Sequence, residues 1–501
     1  MVAACGASEI DLTSDAIHKL VGLNPGDELG WSLAVGDIDG DGIPELAAGA
    51  PGADGHAGAV YILSTDELTA REPGSWGDRA IRIEHEVPAS RFGSVLLFMD
   101  VDDDGNDELI VGAPESAPPG EIRTGQVFVF DLPATSASLR SSHASTVMSG
   151  DESGDGFGGC LESCDIDGDG RAELLVAASG ADDGARVNAG VVYAISTAQM
   201  MSAGIHRAAD IAVGAVAGSG AGDALRTVRA ADIDGDGTAE LVLGAHQFDP
   251  PRHDGGGTGR IEDAGAIYIV PAHDMISGEP LRSIAVTEIA TVHIHGVTER
   301  AFVGFGIEIG DIDGDGASDA VVSAHGAGRS DGRYSARGSA FILFGDCDAG
   351  AVGLPDRLES EPPVGSRHAR AVTLQGRSMW DIFGLSPLVV DLNGDGFDDV
   401  AVTAQFVNGM NGERKRSGEV YVYWGSLRSV MSAKGGTAER ADLVMTGAAG
   451  DAVAGALVPA DIIGDGRPEL VLGAPEASGL GEENTRRGRI YVTPSELLRA
   501  R

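Results

Sequence analysis

Carboxylates stand at alternate positions in seven short stretches of this chain, each punctuated by glycine. The first holds Asp37, Asp39 and Asp41, with Glu45 at the ninth position and Ile43 at the seventh. The second holds Asp100, Asp102, Asp104 and Glu108, with Asn106 at the seventh; the third holds Asp165, Asp167, Asp169 and Glu173, with Arg171 there. The fourth has Asp232, Asp234, Asp236 and Glu240 around Thr238; the fifth has Asp311, Asp313, Asp315 and Asp319 around Ala317. In the sixth, Asp391, Asn393, Asp395 and Asp399 surround Phe397. The last is damaged: Asp461, Asp465 and Glu469 remain, but Ile463 replaces an oxygen donor. Alternating oxygen ligands, a glycine allowing a sharp turn and one backbone carbonyl at the seventh position suit a hard cation, calcium above all.

Other metals fit less well. Magnesium holds its waters and demands a tighter octahedron. Transition metals favour His or Cys, which these loops lack. An EF-hand needs Glu at position twelve, but Ala48 stands there and the flanks read as strands. Ordinary Asp-Gly hairpin turns explain the glycine and one aspartate, not three or four carboxylates repeated in register. Calcium is therefore expected in the first five loops, with an Asn oxygen serving in the sixth and weak or no binding in the seventh. Removing the mutual repulsion of clustered carboxylates would make such ions structural.

The elements that must position these loops repeat with them. Successive loops begin 63, 65, 67, 79, 80 and 70 residues apart. Before each lies a strand opened by a Phe-Gly-like turn: Leu29-Gly30, Phe92-Gly93, Phe157-Gly158, Phe305-Gly306 and Phe383-Gly384, with degenerate copies at Ala224-Leu225 and Ala454-Gly455. After it comes a second strand ending in Gly49-Ala50-Pro51, Gly112-Ala113-Pro114, Gly473-Ala474-Pro475 or a relative. A third strand starts with glycine and places an aromatic three residues later, as in Gly58 and Tyr61 or Gly488 and Tyr491. A weaker fourth strand follows. Short strands and Gly-rich turns at regular spacing predict an all-β radial array. The chain ends soon after the third strand of the seventh copy, while Ile17 to Val21 precedes the first turn unclaimed. The expected fold is a seven-bladed β-propeller of four-stranded blades over 16–501, the N-terminal strand closing the last blade, with 1–15 as a tail.

The Phe-Gly turn, acidic loop and Gly-Ala-Pro element together resemble FG-GAP repeats, as in the integrin α-subunit propeller. The resemblance covers roughly residues 16 to 494. It implies a seven-bladed propeller with calcium-binding hairpin loops, and a partner engaged on one face.

Strand order puts the acidic loops on one face and the second-to-third connections on the other. On that second face the later copies carry longer loops with Arg252, Arg260, Arg329, Arg333, Arg337, Arg414, Lys415, Arg416, Arg486 and Arg487. In a chain of formal charge −42 this is a polarised surface, expected to take a protein or anionic glycan partner. Solvated loop arginines with no partner are the alternative. The charge argues against nucleic acid, whose phosphates need a basic footprint.

No stretch of 18 apolar residues is present, so no membrane-spanning helix is expected. Val2-Ala3-Ala4-Cys5-Gly6 resembles the end of a bacterial lipoprotein signal, and with calcium at millimolar levels outside the cytosol an extracytoplasmic location is expected. Cys160 and Cys164 would lie about 13 Å apart on an extended strand, too far for a bridge, so buried free thiols are expected. No nucleophile elbow, zincin motif, Walker loop or cysteine zinc site occurs. The favoured function is a binding scaffold; a carbohydrate- or lipid-active hydrolase or lyase on the propeller loops is the alternative.

Overall fold

The computed structural model describes residues 8–14, 17–64, 68, 76–77, 79–132, 138–252, 259–276, 281–328, 336–345, 354–358, 370–409, 414–426, 436–453, 455–462, 466–478 and 485–498. Their strands form seven sheets, one per acidic loop, and these are the blades of a β-propeller. In the first blade Leu33–Gly36, Glu45–Ala50, Ala59–Leu63 and Ile81–Glu84 follow one another as an antiparallel meander from the axis outward. Second strands such as Glu108–Ala113 and Glu240–Ala245 are buried throughout. Covered on both faces, they read as apolar runs rather than as alternation.

The apolar residues do not form one core. They form seven, each shared by two neighbouring blades. Phe92, Phe128 and Ile83 belong to the core between the first two blades; Leu29, Tyr61 and Ile490 belong to the one joining the seventh to the first. The third-strand aromatics, Tyr61, Phe128, Tyr193, Tyr268, Phe341, Tyr421 and Tyr491, are all buried. Burying such a ring contributes roughly 2–3 kcal/mol, so the wheel is held blade to blade.

The glycine opening each third strand makes that contact possible. Gly58 abuts Phe92 of the next blade, and Gly488 abuts Leu29, closing the ring. Gly488 has φ +82, and a Cβ there would lie 2.1 Å from the Leu29 backbone nitrogen. No side chain fits that approach.

These contacts also correct the register of the Phe-Gly turns. In the fifth blade Gly265 faces Val303, so Val303-Gly304 and not Phe305-Gly306 holds the position. Gly190 faces Leu225 and Gly418 faces Val453, shifting the fourth and seventh copies by one residue from the expected pairs. A further marker agrees. Two residues before this position, Asp27, Asp155, Asp223, Asp381 and Asp451 each accept a backbone N–H from the turn, at 2.9, 2.8, 2.6, 2.6 and 3.1 Å.

The expectation of four strands per blade is also revised: six of the seven sheets have five. The extra strand runs parallel to the fourth, and in five of these sheets it comes from the third-to-fourth connection of the following blade. Ser138–Arg140 pairs with Ile81–Glu84, Gly204–Arg207 with Thr146–Ser149, Ile284–Ala285 with Ala212–Ala217, and Arg357–Leu358 with Val292–Gly296. Gly436–Thr437 does the same for Ala371–Gln375. The exchange covers an outer edge that would otherwise offer unpaired backbone groups.

The N-terminus supplies two strands. His18–Val21 pairs antiparallel with Arg489–Thr493 and closes the seventh blade, as expected. Ser8–Asp11, expected in a tail ahead of the propeller, pairs in parallel with Leu443–Thr446 and covers the sixth. Ile10 and Leu12 are buried in the core between blades six and seven, which is why this stretch docks. Cys160 is partly buried and Cys164 buried, both free thiols; Cys5 and Cys347 lie outside the described residues.

Candidate metal centres

Each acidic loop is the hairpin between the innermost and second strands of a blade. One hydrogen-bond pattern shapes them. The ninth-position carboxylate accepts the backbone N–H of position two in all seven: Glu45 from Ile38 at 3.2 Å, Glu108 from Val101 at 2.7 Å, Glu173 from Ile166 and Glu240 from Ile233 at 3.0 Å. Asp319 takes Ile312 at 2.9 Å, Asp399 takes Leu392 at 3.0 Å and Glu469 takes Ile462 at 3.0 Å. The first aspartate receives the turn glycines, as Asp37 does from Gly40 at 2.7 Å and Gly42 at 2.8 Å. The fifth-position aspartate accepts the N–H of position seven, as Asp41 does from Ile43 and Asp104 from Asn106, both at 2.8 Å.

Neighbouring loops are tied together. Asp107 Oδ2 accepts the N–H of Asp37 at 3.0 Å, and Asp398 Oδ2 accepts that of Asp311 at 2.9 Å. The Ser318 N–H reaches the Asp232 carbonyl at 2.9 Å. Position eight of one loop thus braces position one of the loop before it.

Carboxylate oxygens converge within 4.8 Å of one another in five loops. In the first and fifth the groups are Asp37, Asp39, Asp41 and Asp311, Asp313, Asp315. In the second, third and fourth they are Asp100, Asp102, Glu108; Asp165, Asp167, Glu173; and Asp232, Asp234, Glu240. Asp104, Asp169 and Asp236 lie outside these triads, each held to the N–H of position seven. The sixth loop forms no such group among the described residues: Asn393 Nδ2 donates to Asp399 at 3.2 Å. In the seventh, Ile463 and Asp465 lie outside the described residues, while Asp461 accepts Gly466 at 2.8 Å.

The seventh-position side chains are spread over the rim. Ile43 is exposed, Ala317 is fully buried, and Phe397 packs on Gly314 of the preceding loop. Arg171 pairs with Asp103 at 2.5 Å, and the Thr238 hydroxyl donates to Asp236 at 2.6 Å. Such varied side chains fit a position used through its backbone.

Without a cation the clusters are electrostatically strained. Burial, then repulsion from neighbouring aspartates, pushes Glu45, Glu108 and Glu240 up to about 7. The same causes raise Asp319 to about 8 and Glu173 above its ordinary value. Asp399 rises to about 7, chiefly through burial. Asp100 Oδ1 is buried with no hydrogen-bond partner. An all-oxygen donor set, an orphaned carboxylate oxygen and raised carboxylates all fit a hard divalent ion.

The opposite face departs from expectation. Its arginines are largely engaged within the chain. Arg414 donates to Asp11 at 2.7 Å and holds the N-terminal edge strand; the bond keeps the Asp11 carboxyl well below its usual range. Arg416 reaches Glu476 at 2.8 Å and lies 4.8 Å over the Phe406 ring. Arg486 bridges Glu476 and Glu28, Arg487 donates to the Leu23 carbonyl at 2.6 Å, and Arg252 pairs with Glu299. Arg260 donates to the Asp249 carbonyl at 2.7 Å, Arg337 is partly buried, and Lys415 is exposed. Arg329 and Arg333 lie outside the described residues. Where acids so outnumber bases, basic loop residues find carboxylates. Sequence reasoning overlooked the exposed apolar residues on these connections: Val87, Ile122, Val187, Met379 and Trp380, with Trp31 beside them.

Comparison with known proteins agrees with this architecture. The FG-GAP repeat family model matches residues 29–63, 161–195, 224–270 and 383–423. Human integrin alpha-IIb is 35% identical over 188 residues, covering 35% of this chain and 17% of its own length. Bovine phosphatidylinositol-glycan-specific phospholipase D is 28% identical over 168 residues, covering 32% of this chain and 20% of its own. Integrin alpha-PS2 of Drosophila melanogaster is 36% identical over 123 residues, covering 23% and 8%. The aligned stretch therefore spans no more than a fifth of these relatives. Among solved structures the Dos1 propeller aligns over 62% of this chain and 55% of its own at 13% identity, with a TM-score of 0.33. Repeated turn, acidic hairpin and glycine-mediated blade contact together make this chain a seven-bladed β-propeller, four stretches of which match the FG-GAP repeat.

Proposed function

We propose that the chain is a calcium-stabilised, extracytoplasmic binding scaffold that recognises a protein partner on the face opposite the acidic loops. The convergence of carboxylates in five consecutive loops carries the metal reading. Calcium would be held by the side chains of positions one, three, five and nine and the backbone oxygen of position seven, the sixth loop adding the Asn393 oxygen after an amide flip. The ion supplies charge neutralisation; the chain supplies preformed hairpins braced by their neighbours. Similarity to integrin alpha subunits supports a protein-binding role. The exposed Trp31, Met379 and Trp380 are of the kind that anchors protein interfaces. Among the described residues no helix is long and apolar enough to cross a membrane.

An anionic glycan is the narrower alternative partner, and the paired arginines weaken it. A hydrolase or lyase has one observation behind it, the similarity to a phospholipase D. Calcium titration followed by melting temperature, then a partner screen with and without Trp380→Ala, tests the proposal. Melting unchanged by calcium would sink the metal reading; partner capture unaffected by Trp380→Ala would sink the assigned face.

A further inference from the structure

The innermost strand of the fourth blade, Leu225–Ala231, carries two arginines into the central channel of the wheel. Arg229 is saturated: it meets Glu308 at 2.6 Å, Glu162 at 3.4 Å and the Val228 carbonyl at 2.9 Å. Arg226 is not. It sits where the ladder slips between Leu225 and Thr227, a bulge that frees it from pairing and re-aims its side chain. Among the described residues its guanidinium makes no ion pair or hydrogen bond; it lies on the face of Phe305, with Cζ 4.3 Å from the ring centre. Against that ring, in edge contacts, stand His246 and His325, their ring centres 5.5 and 4.7 Å from Phe305, each with a buried, unpartnered Nδ1. Burial, then the charge of Arg226, holds both imidazoles down to about 4, so neither is charged at neutral pH.

An uncompensated guanidinium in a partly dry channel costs stability. Carboxylates are abundant in this chain, so composition does not force one to be missing here. The channel, about 710 Å³, is large enough for a small organic molecule, and Ile307, Leu385, Pro387 and Leu457 give it apolar walls. Glu162 and Glu308 are already taken up by Arg229.

We propose that this channel is a binding site for an apolar carboxylate, whose anionic group pairs with Arg226 over the Phe305 ring. The missing counter-charge is then the ligand's own, and the bidentate fork of arginine suits it. A carboxylate could arrive as a free organic acid or as the acidic side chain of a docked partner.

Benzoate added to the calcium-saturated chain is the probe, with benzamide as its uncharged counterpart. Calorimetry is expected to show benzoate binding that weakens about tenfold or more in Arg226→Gln and in the benzamide arm. Arg226→Lys, which keeps the charge, should retain more affinity than Arg226→Gln. Arg226→Gln should melt no lower than the parent, since it removes an unpaired charge; a structural arginine would do the reverse. Binding should also raise the His246 and His325 titration midpoints seen by NMR. A short peptide bearing glutamate, compared with its glutamine twin, forms the second arm: tighter binding than benzoate makes a partner side chain the source, and weaker binding makes it a free acid. Equal benzoate affinity in parent and Arg226→Gln, no benzoate binding at all, or a large loss of melting temperature in Arg226→Gln overturns the proposal.

Discussion

The two faces of the wheel follow opposite rules. On the acidic face one set of hydrogen bonds recurs blade after blade, down to the acceptor atom, and even the damaged seventh loop keeps Glu469 on Ile462. On the other face the fourth-to-first turns keep one aspartate in five copies, but the second-to-third connections share only their ends. The second-to-third link runs from Pro51 to Gly58 in the first blade and from His246 to Gly265 in the fourth. Repetition marks what holds a ring together; divergence marks where recognition can be written without disturbing it.

The sharpest way to break that contrast is to remove the ions. Chelation should lower the melting temperature by roughly 10 °C, because five sites each contribute about 2–3 kcal/mol when calcium is well above its dissociation constant. A shift of a degree or two, measured by calorimetry, would make the repeated face decorative.

Next in size is a single ligand. Asp313→Ala should cost about 2–3 kcal/mol in calcium and nothing, or a slight gain, in chelator, where it relieves repulsion. Asp461→Ala in the damaged loop should show no such calcium dependence. Denaturant curves of both variants, with and without calcium, separate a metal ligand from a turn residue.

Protons should compete with the ion. The ninth-position glutamates Glu45, Glu108 and Glu240 rise to about 7 in the calcium-free protein, against an ordinary value of 4.5. In that state they favour folding below 4.5 and lose the contribution as pH climbs through 7. Calcium needs them ionised, so its affinity should fall about tenfold per site from pH 8 to pH 6. Titration calorimetry at the two pH values checks this, and identical affinities would place the ion elsewhere.

The smallest effects belong to the opposite face. Arg414→Ala should cost about 1 kcal/mol or less, since its bond to Asp11 is partly exposed, while Arg416→Ala should be near neutral. Thermal melts that ranked Arg416 above Arg414 would reverse the reading of which arginine is structural.

The sequence made the acidic loops legible because their chemistry is local: ligands two residues apart need no tertiary knowledge. The closing strand was legible as a remainder, a third strand at one end and an unclaimed one at the other. The fifth strands were not. Segments as short as Ile284–Ala285 and Arg357–Leu358 carry no period, and their pairing is decided by the next blade. The Phe-Gly register slipped in three copies because the constraint is a backbone resting on glycine, which Val303 satisfies as well as Phe. The buried aspartate two residues earlier would have set the register in four and seven, though the second and fifth copies lack it. The arginines misled for a third reason. Arg414 and Asp11 are 403 residues apart, and no reading of loop composition joins them.

Ser8–Asp11 is zipped lengthwise to the sixth sheet, and seven residues later His18–Val21 is zipped to the seventh. A pull on the N-terminal end would load the first strand in shear before any force reached the second, so the ring resists being opened at its seam. Whatever is tethered at that end, the latch would give way in two stages rather than one.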